Sequence, residues 1–309
     1  MADVNPRASA TAVGEAVATA PLRLLHGLAA PARAGLATKV RRSVGLGRPP
    51  VAASMDPAES YLPPDGVARM VHADLPAMLI GGLSALLLQT LHPLAMAGVA
   101  DHSNYQADPL GRLRRTAHFV GATTFGTERE AQEAIAQVQR VHRRVSGFTA
   151  DGRPYSADDP DLVTFIHAAE TWSFLEAARR YGPRDLTPEQ CDRYYAEMAP
   201  VAMALGAEWV PLSVADVDGY FRRLRPHLRA GPQALEARDW LRRGVATRAN
   251  ERAVYVVLLS AAIGLLPRWA QAELGLSTPA PLDLLVDTVA VVPVSRAVVA
   301  GLRWMATSR

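Results

Sequence analysis

The chain has 309 residues, a length that predicts one large domain or two small ones with an ample core. Hydrophobic residues make up 49% of it and charged residues only 20%, which indicates an extensive apolar interior or membrane contact. The single cysteine, Cys191, excludes an intrachain disulfide and any metal site built from several cysteines. Residues 1–50 hold seven basic and two acidic residues, a net charge of +5, and the remainder carries −2 to give the total of +3. The acidic remainder argues against a nucleic-acid-binding face on the folded part.

The first 66 residues are predicted to lie outside the folded body. Residues 1–48 form a basic arm that lacks the compact apolar core and cleavage site of a secretory signal. We interpret this arm as a flexible tail, with an amphipathic segment that touches a partner or an anionic surface as the alternative. Residues 49–66 are rich in proline, glycine and small residues and predict a linker. The folded domain is therefore expected over residues 67–306.

Two apolar segments raise the question of a membrane. Residues 75–100 carry no formal charge over 26 positions, a length sufficient for a membrane-spanning helix. Gln89, His92 and Pro93 divide this segment, so we predict a buried core helix followed by a second helix that begins at Pro93. Residues 282–305 are also apolar but interrupted by charges and a proline, and predict a packed helix, with a helix resting on a membrane surface as the alternative.

Helix-boundary signals recur along the rest of the body, and no run of alternating strand pattern is visible. Four helices are predicted to begin at Asp108-Pro109, at Thr127 with Glu130, at Asp159-Pro160 and at Thr187-Pro188. The last three are predicted to end at or near Gly147, Gly182 and Gly206, respectively. We therefore predict an all-α fold.

The first two of these helices carry polar groups beside apolar stripes. Arg112, Arg115 and Thr116 stand at i, i+3 and i+4 and converge on one point of their helix, while His142 shares the apolar face of the next helix. In one interpretation the arginines snorkel or pair with nearby aspartates, the threonine bonds to its own helix backbone, and the histidine is an ordinary core residue. In the other, a neutral imidazole in an apolar wall suits an iron porphyrin, and the cations and hydroxyl suit its propionates or polarised dioxygen. Small residues would then let the flat macrocycle approach a helix closely: Gly81, Gly82, Ala95, Ala97 and Gly98. The residues alone leave both open.

Four segments in fixed order carry a resemblance to a known family: LHPLAMAGVADHS (91–103), DPLGRLRRTAHF (108–119), VHRRVSG (141–147) and GRPYSADDPDLVTFIHAAETWSFLEAARRYG (152–182). Residues 67–266 resemble the catalytic domain shared by MpaB-type oxygenases and latex-clearing rubber oxygenases. The resemblance implies a globin-like, multi-helix single domain that encloses a haem b pocket. It also implies dioxygen-dependent cleavage of carbon–carbon double bonds in isoprenoid chains, with carbonyl products.

Carried over by position, the resemblance implies that His142 is the axial ligand of the haem iron, and it places an Arg-x-x-x-Thr signature at Arg112 and Thr116. Arg115 stands where some relatives carry lysine; because arginine stays protonated, an amine-capped resting haem is not expected. The expected catalytic residues are Arg112, Arg115 and Thr116. The expected cofactor-binding residues are Arg112 and His142, and His142 also binds the metal. His118 and His167 are expected at the cofactor as well, each either as the ligand in place of His142 or as a distal residue.

Other metal chemistry is less well supported by the pattern. His167 and Glu170 at i, i+3 suit a carboxylate-bridged di-iron site, but their order is reversed and no second motif of the kind follows. Glu170 remains a weak candidate for a catalytic base. His92 before Pro93 is expected to be a helix cap, and His102 to belong to a turn.

The function expected from the sequence is a haem b-dependent oxygenase that oxidises an apolar, isoprenoid- or lipid-like substrate with dioxygen. Its expected partners are that substrate and dioxygen, without nucleic acid, and its expected location is the cytoplasm, with peripheral membrane contact left open. Two alternatives share the fold, because a fold does not fix a reaction. They are a non-catalytic haem- or lipid-binding protein at a membrane surface, and a redox enzyme of a biosynthetic pathway.

Overall fold

The computed structural model describes residues 53–244, 249–277 and 292–307, and the predicted arm of residues 1–48 lies outside them. These residues form twelve α-helices and one short two-stranded sheet, so the all-α prediction is confirmed. The elements are α1 Val67–His72, α2 Leu75–Gln89, α3 Pro93–His102, α4 Pro109–Phe125, α5 Glu128–His142, β1 Ser146–Phe148, β2 Pro154–Ser156, α6 Pro160–Tyr181, α7 Pro188–Leu205, α8 Val214–Leu224, α9 Pro232–Arg243, α10 Ala249–Leu265, α11 Arg268–Glu273 and α12 Val292–Thr307.

Helix starts follow the capping residues of the sequence. The Asp108 carboxylate accepts the Gly111 N–H at 2.9 Å, and Thr127 and Glu130 form the predicted reciprocal capping box. One predicted end is wrong: α5 stops at His142, and Gly147 lies in β1 opposite Tyr155. A Cβ at Gly147 would lie 2.6 Å from the Tyr155 hydroxyl oxygen, so this glycine is needed for strand packing rather than for ending a helix. Strands of three residues are too short to show an alternating pattern.

The uncharged segment breaks where the sequence predicted. Helices α2 and α3 meet at an angle of 105°, and the His92 ring accepts the Ala95 N–H at 3.4 Å as an N-cap. Within the described ranges no single helix has the length and apolarity of a membrane span, whereas α2 and α3 taken together do. Ile80, Leu87 and Leu88 of α2 are at most 1% exposed, so α2 is a core helix.

Helix α6 lies at the centre of the fold and packs along α2. The two helices approach closely at Gly81, where a Cβ would lie only 3.0 Å from the Phe174 Cα and from the Ser173 carbonyl oxygen. Sequence reasoning assigned this glycine to the approach of a flat cofactor, but its small size serves helix–helix contact. Helices α10 and α12 cover the other side of α2, and Arg303 of α12 pairs with Asp74 through two hydrogen bonds of 2.7 and 2.5 Å.

Residues 53–66, which belong to the predicted linker, run along the corner between α4 and α5. The Ser54 N–H donates to the Phe125 carbonyl at 2.8 Å, and the Glu128 N–H donates to the Glu59 carbonyl at 2.7 Å. Leu62 is 2% exposed and belongs to the main core cluster. This segment therefore fixes the end of α4 against the start of α5, the two helices that carry the predicted site.

A buried polar network joins α1, α4 and α7. The two ring nitrogens of His72 are hydrogen-bonded to the Thr124 hydroxyl at 2.8 Å and the Tyr194 hydroxyl at 2.9 Å. Burial lowers the pKa of His72 to about 3, so this imidazole is neutral. Because both nitrogens have partners, His72 orients helices and is not free to bind a metal.

Candidate functional site

A large cavity lies between the helices, with walls from α2, α3, α4, α5, α6, α9 and α10. Its volume is about 2120 Å³. Pockets for drug-sized ligands usually span about 300–1,000 Å³, so this cavity has room for a macrocycle and a chain-like substrate together. Most of its lining side chains are aliphatic or aromatic, including Leu86, Phe119, Val138, Phe174 and Leu258.

All six residues predicted for the site line this one cavity: Arg112, Arg115, Thr116, His118, His142 and His167. They occupy different depths. Thr116 and His118 are exposed, His142 is half-buried, and His167 is only 8% exposed. We call the region of Arg112, Arg115, Thr116 and His118 the mouth, and the buried face of α6 the inner wall.

The two arginines of the mouth have different surroundings. Arg112 is half-buried and donates from Nη1 to the Ser103 hydroxyl at 2.8 Å, and burial lowers its pKa. Arg115 is ion-paired with Asp108 at 3.3 Å, with the two side chains 71% and 53% exposed. An exposed pair of this kind contributes little to stability. The mouth therefore presents two cationic groups, of which Arg115 contributes little to stability through its ion pair.

Thr116 makes no hydrogen bond through its side chain to any residue that the structure describes. Bonding to its own helix, the structural role considered for it, is instead seen at Thr123, whose hydroxyl donates to the Phe119 carbonyl at 2.9 Å. The Thr116 hydroxyl is thus free to donate to a molecule in the cavity.

His142 is the last residue of α5 and forms part of the cavity wall. Its Nδ1 is buried and has no hydrogen-bond partner among the described residues. Burial lowers the pKa of His142, against a smaller opposing effect of the Asp158 charge, so the ring is neutral at pH 7. With Nδ1 enclosed by protein, Nε2 is the nitrogen that a metal in the cavity could reach.

The inner wall carries His167, Glu170 and Thr171 of α6. His167 has a buried Nε2 without a partner in the described part of the chain, and burial lowers its pKa to about 4. Glu170 is half-buried in the cavity wall, and desolvation by the surrounding protein raises the pKa of its carboxyl to about 7. No hydrogen bond to Glu170 occurs within the described ranges, while Thr171 is occupied by the His167 carbonyl at 2.8 Å. A carboxyl group without a donor in an apolar cavity is costly, which marks it as a functional candidate.

No set of three or more histidine, cysteine or carboxylate side chains is placed to hold a bare metal ion within the described residues. A porphyrin-bound iron needs only one or two protein ligands. This finding therefore argues against a di-iron site among the described residues and leaves the haem interpretation unaffected.

Several cavity residues carry no local signal in the sequence. Trp240, Tyr255 and Leu258 reach the cavity from α9 and α10, more than 90 positions beyond His142. Their roles depend on how distant helices pack, so no spacing within the chain could have indicated them. Of the small residues expected to admit a cofactor, Gly82 and Gly98 do line the cavity.

The buried Glu170 carboxyl leads to a prediction about stability. Because its folded pKa is about 7 against an ordinary 4.5, the folded protein binds the proton more tightly, and stability falls as pH rises from about 4.5 through 7. Glu170→Gln removes this loss. We expect the variant and the parent to have the same melting temperature at pH 5. At pH 8 the variant should melt at a higher temperature, and its free energy of unfolding should exceed that of the parent by at most about 3 kcal/mol, at 1.36 kcal/mol per pKa unit.

Thermal melts at both pH values test this prediction, with Glu133→Gln at the exposed part of the wall as the control. Glu133 pairs with Arg129 at 2.7 Å in solvent, so its substitution should change stability little at either pH. A Glu170→Gln variant that melts below the parent by the same amount at pH 5 and pH 8 would contradict the expectation.

Comparison with protein-family models gives one match, to the family described as ER-bound oxygenase mpaB/B'/rubber oxygenase, catalytic domain. The match covers residues 69–304, from within α1 to within α12. It therefore includes every residue of the cavity wall. No match was found among curated proteins or among solved structures.

Proposed function

Because this chain belongs to the mpaB and rubber oxygenase catalytic-domain family, we propose that it is a haem b-dependent oxygenase of apolar, isoprenoid- or lipid-like substrates. The family makes the protein an oxygenase-type enzyme, and the finer statements rest on the cavity. The observation that carries them is the neutral His142 imidazole, with an unpartnered Nδ1, in the wall of a cavity of about 2120 Å³.

The wall residues fit a haem group. A b-type haem needs an apolar enclosure, one neutral imidazole and cations for its carboxylates. His142 would hold the iron, and Arg112 would hold a propionate, since a guanidinium group binds a carboxylate through two donors. We propose a globin-like pocket in this sense. His118 and His167 are then flanking residues, because His118 is exposed and the Nε2 of His167 is packed against protein.

The haem, when bound, supplies the dioxygen chemistry, and the side chains of the cavity organise the reaction around it. Thr116 would donate a hydrogen bond to the oxygen on which negative charge develops, and Arg115 would stabilise the same charge. Glu170 accepts a proton, for which a pKa near 7 is well matched. The aliphatic wall excludes water and binds the apolar part of the substrate. A small apolar molecule and dioxygen are thus the proposed partners.

Oxygen uptake by the reduced, haem-loaded protein tests the proposal. With squalene as the probe, we expect dioxygen consumption only when the alkene is present, together with carbonyl products that react with dinitrophenylhydrazine. A non-catalytic haem- or lipid-binding protein would bind the alkene without consuming dioxygen. A biosynthetic redox enzyme would give a product of unchanged carbon number without carbonyl fragments. Either result would overturn the oxygenase assignment.

A further inference from the structure

We propose that the inner wall around Glu170, next to His167, is a headgroup subsite for a hydroxyl or ammonium group, so that an amphiphile is the preferred substrate. This proposal rests on the cavity being the substrate site, as argued above. It adds an orientation: the donor headgroup lies at the inner wall, and the apolar chain runs from there toward the mouth.

The first argument is the unmet bonding capacity of the inner wall. Glu170 and His167 lie one turn apart on α6 and both line the cavity. Glu170 is half-buried and has no hydrogen-bond donor in the described structure, so its carboxyl group is open to the cavity, and the His167 imidazole beside it is 8% exposed. A carboxyl group that the protein desolvates without supplying a donor gains most from a ligand that donates a hydrogen bond to it.

The second argument is that neighbouring side chains are already committed. The Tyr194 hydroxyl lies near enough for the Glu170 charge to help raise the Tyr194 pKa, but that hydroxyl is bonded to His72 at 2.9 Å. Thr171 donates to the His167 carbonyl at 2.8 Å. Neither hydroxyl is therefore available to Glu170 without breaking a bond that the fold already uses. A donor must come from the occupant of the cavity.

The third argument is the sign of charge along the cavity. The mouth holds the cations Arg112 and Arg115, whereas the inner wall holds a carboxyl group that carries negative charge when ionised. A carboxylate headgroup would be repelled from the inner wall and attracted to the mouth. Hydroxyl and ammonium groups both donate hydrogen bonds to a carboxylate, and an ammonium adds charge attraction. The subsite thus selects neutral or cationic donors.

Binding of four ten-carbon probes to the full-length purified protein tests the proposal: 1-decanol, decylamine, 1-methoxynonane and decanoate. The ether matches the alcohol in size but cannot donate. Trp240 lines the cavity, so quenching of tryptophan fluorescence reports occupancy without any need for turnover. We expect decanol and decylamine to bind about tenfold or more tightly than the ether and decanoate, the ratio for one hydrogen bond to a charged group.

Glu170→Gln should weaken decylamine more than decanol, since the amide retains an acceptor but no charge, and Glu170→Leu should abolish the preference for both. Glu133→Gln is the matched control and should leave all four affinities unchanged. Equal binding of the four probes to the parent, or a preference that survives in Glu170→Leu, would overturn the subsite. If that happens while squalene still drives oxygen uptake, the proposed function stands. A Glu170-dependent preference in a protein without oxygen uptake supports the subsite and removes only the oxygenase assignment.

Discussion

The His142→Ala variant is expected to purify folded but without haem. The substitution removes the imidazole proposed to bind iron, and no hydrogen bond is lost with it, because Nδ1 has no partner among the described residues. His142 is half-buried at the last position of α5, so truncation should cost only a modest amount of stability. The Soret absorbance per chain and a thermal melt by circular dichroism measure the two effects.

Two matched variants make this result specific. His118→Ala and His167→Ala remove the other two candidate histidines from the same cavity, and each should keep most of its haem. Addition of free imidazole should restore haem to His142→Ala alone, because the small molecule can occupy the cavity left by the side chain. Full haem content and an unchanged iron spectrum in His142→Ala, with loss in one of the other two, would show that the axial ligand is misassigned.

Thr116→Val is expected to lower turnover by about 10²–10³-fold, the effect of removing one hydrogen-bond donor aimed at developing negative charge. The substitution conserves shape, and Thr116 is exposed with no side-chain hydrogen bond to any described residue. Its melting temperature should therefore match that of the parent. Rates of dioxygen uptake at saturating substrate, compared with the melting temperature, separate the catalytic role from a structural one.

Arg112→Lys extends the same test. Lysine keeps the charge but loses the planar pair of donors, so binding of a carboxylate or of charged oxygen should weaken. Arg112 also donates to Ser103 at 2.8 Å, and Ser103→Ala is the control that removes this bond while keeping the guanidinium. Normal turnover in Thr116→Val and Arg112→Lys, accompanied by a clear drop in melting temperature, would show that both residues support helix packing and not catalysis.

Local signals in the sequence were sufficient for most helix boundaries. The caps at Asp108, Thr127 and Asp159 and the break at His92-Pro93 each depend on a few neighbouring residues, and the structure confirms them. The prediction that Gly147 ends a helix failed because its small size is required by Tyr155 of the opposite strand. Such a contact between two strands cannot be recognised from helix periodicity.

The site was predictable to a similar extent. Helical spacing placed Arg112, Arg115 and Thr116 together and His142 on an apolar face, and the resemblance implied that His142 is the iron ligand. The four residues line one cavity. Tertiary packing decided the remainder. Gly81 packs against Phe174 of α6 rather than against a cofactor. The pKa of Glu170 is raised because the surrounding protein desolvates its carboxyl group. These properties arise from segments far apart in the chain, so they are visible only in the folded protein.

The haem content of the purified full-length chain, measured as the pyridine haemochrome after expression with a haem precursor, tests the central claim most directly. The account predicts about one haem b per chain with a Soret band in the visible spectrum. A colourless protein that stays folded and takes up no haemin on reconstitution would contradict it.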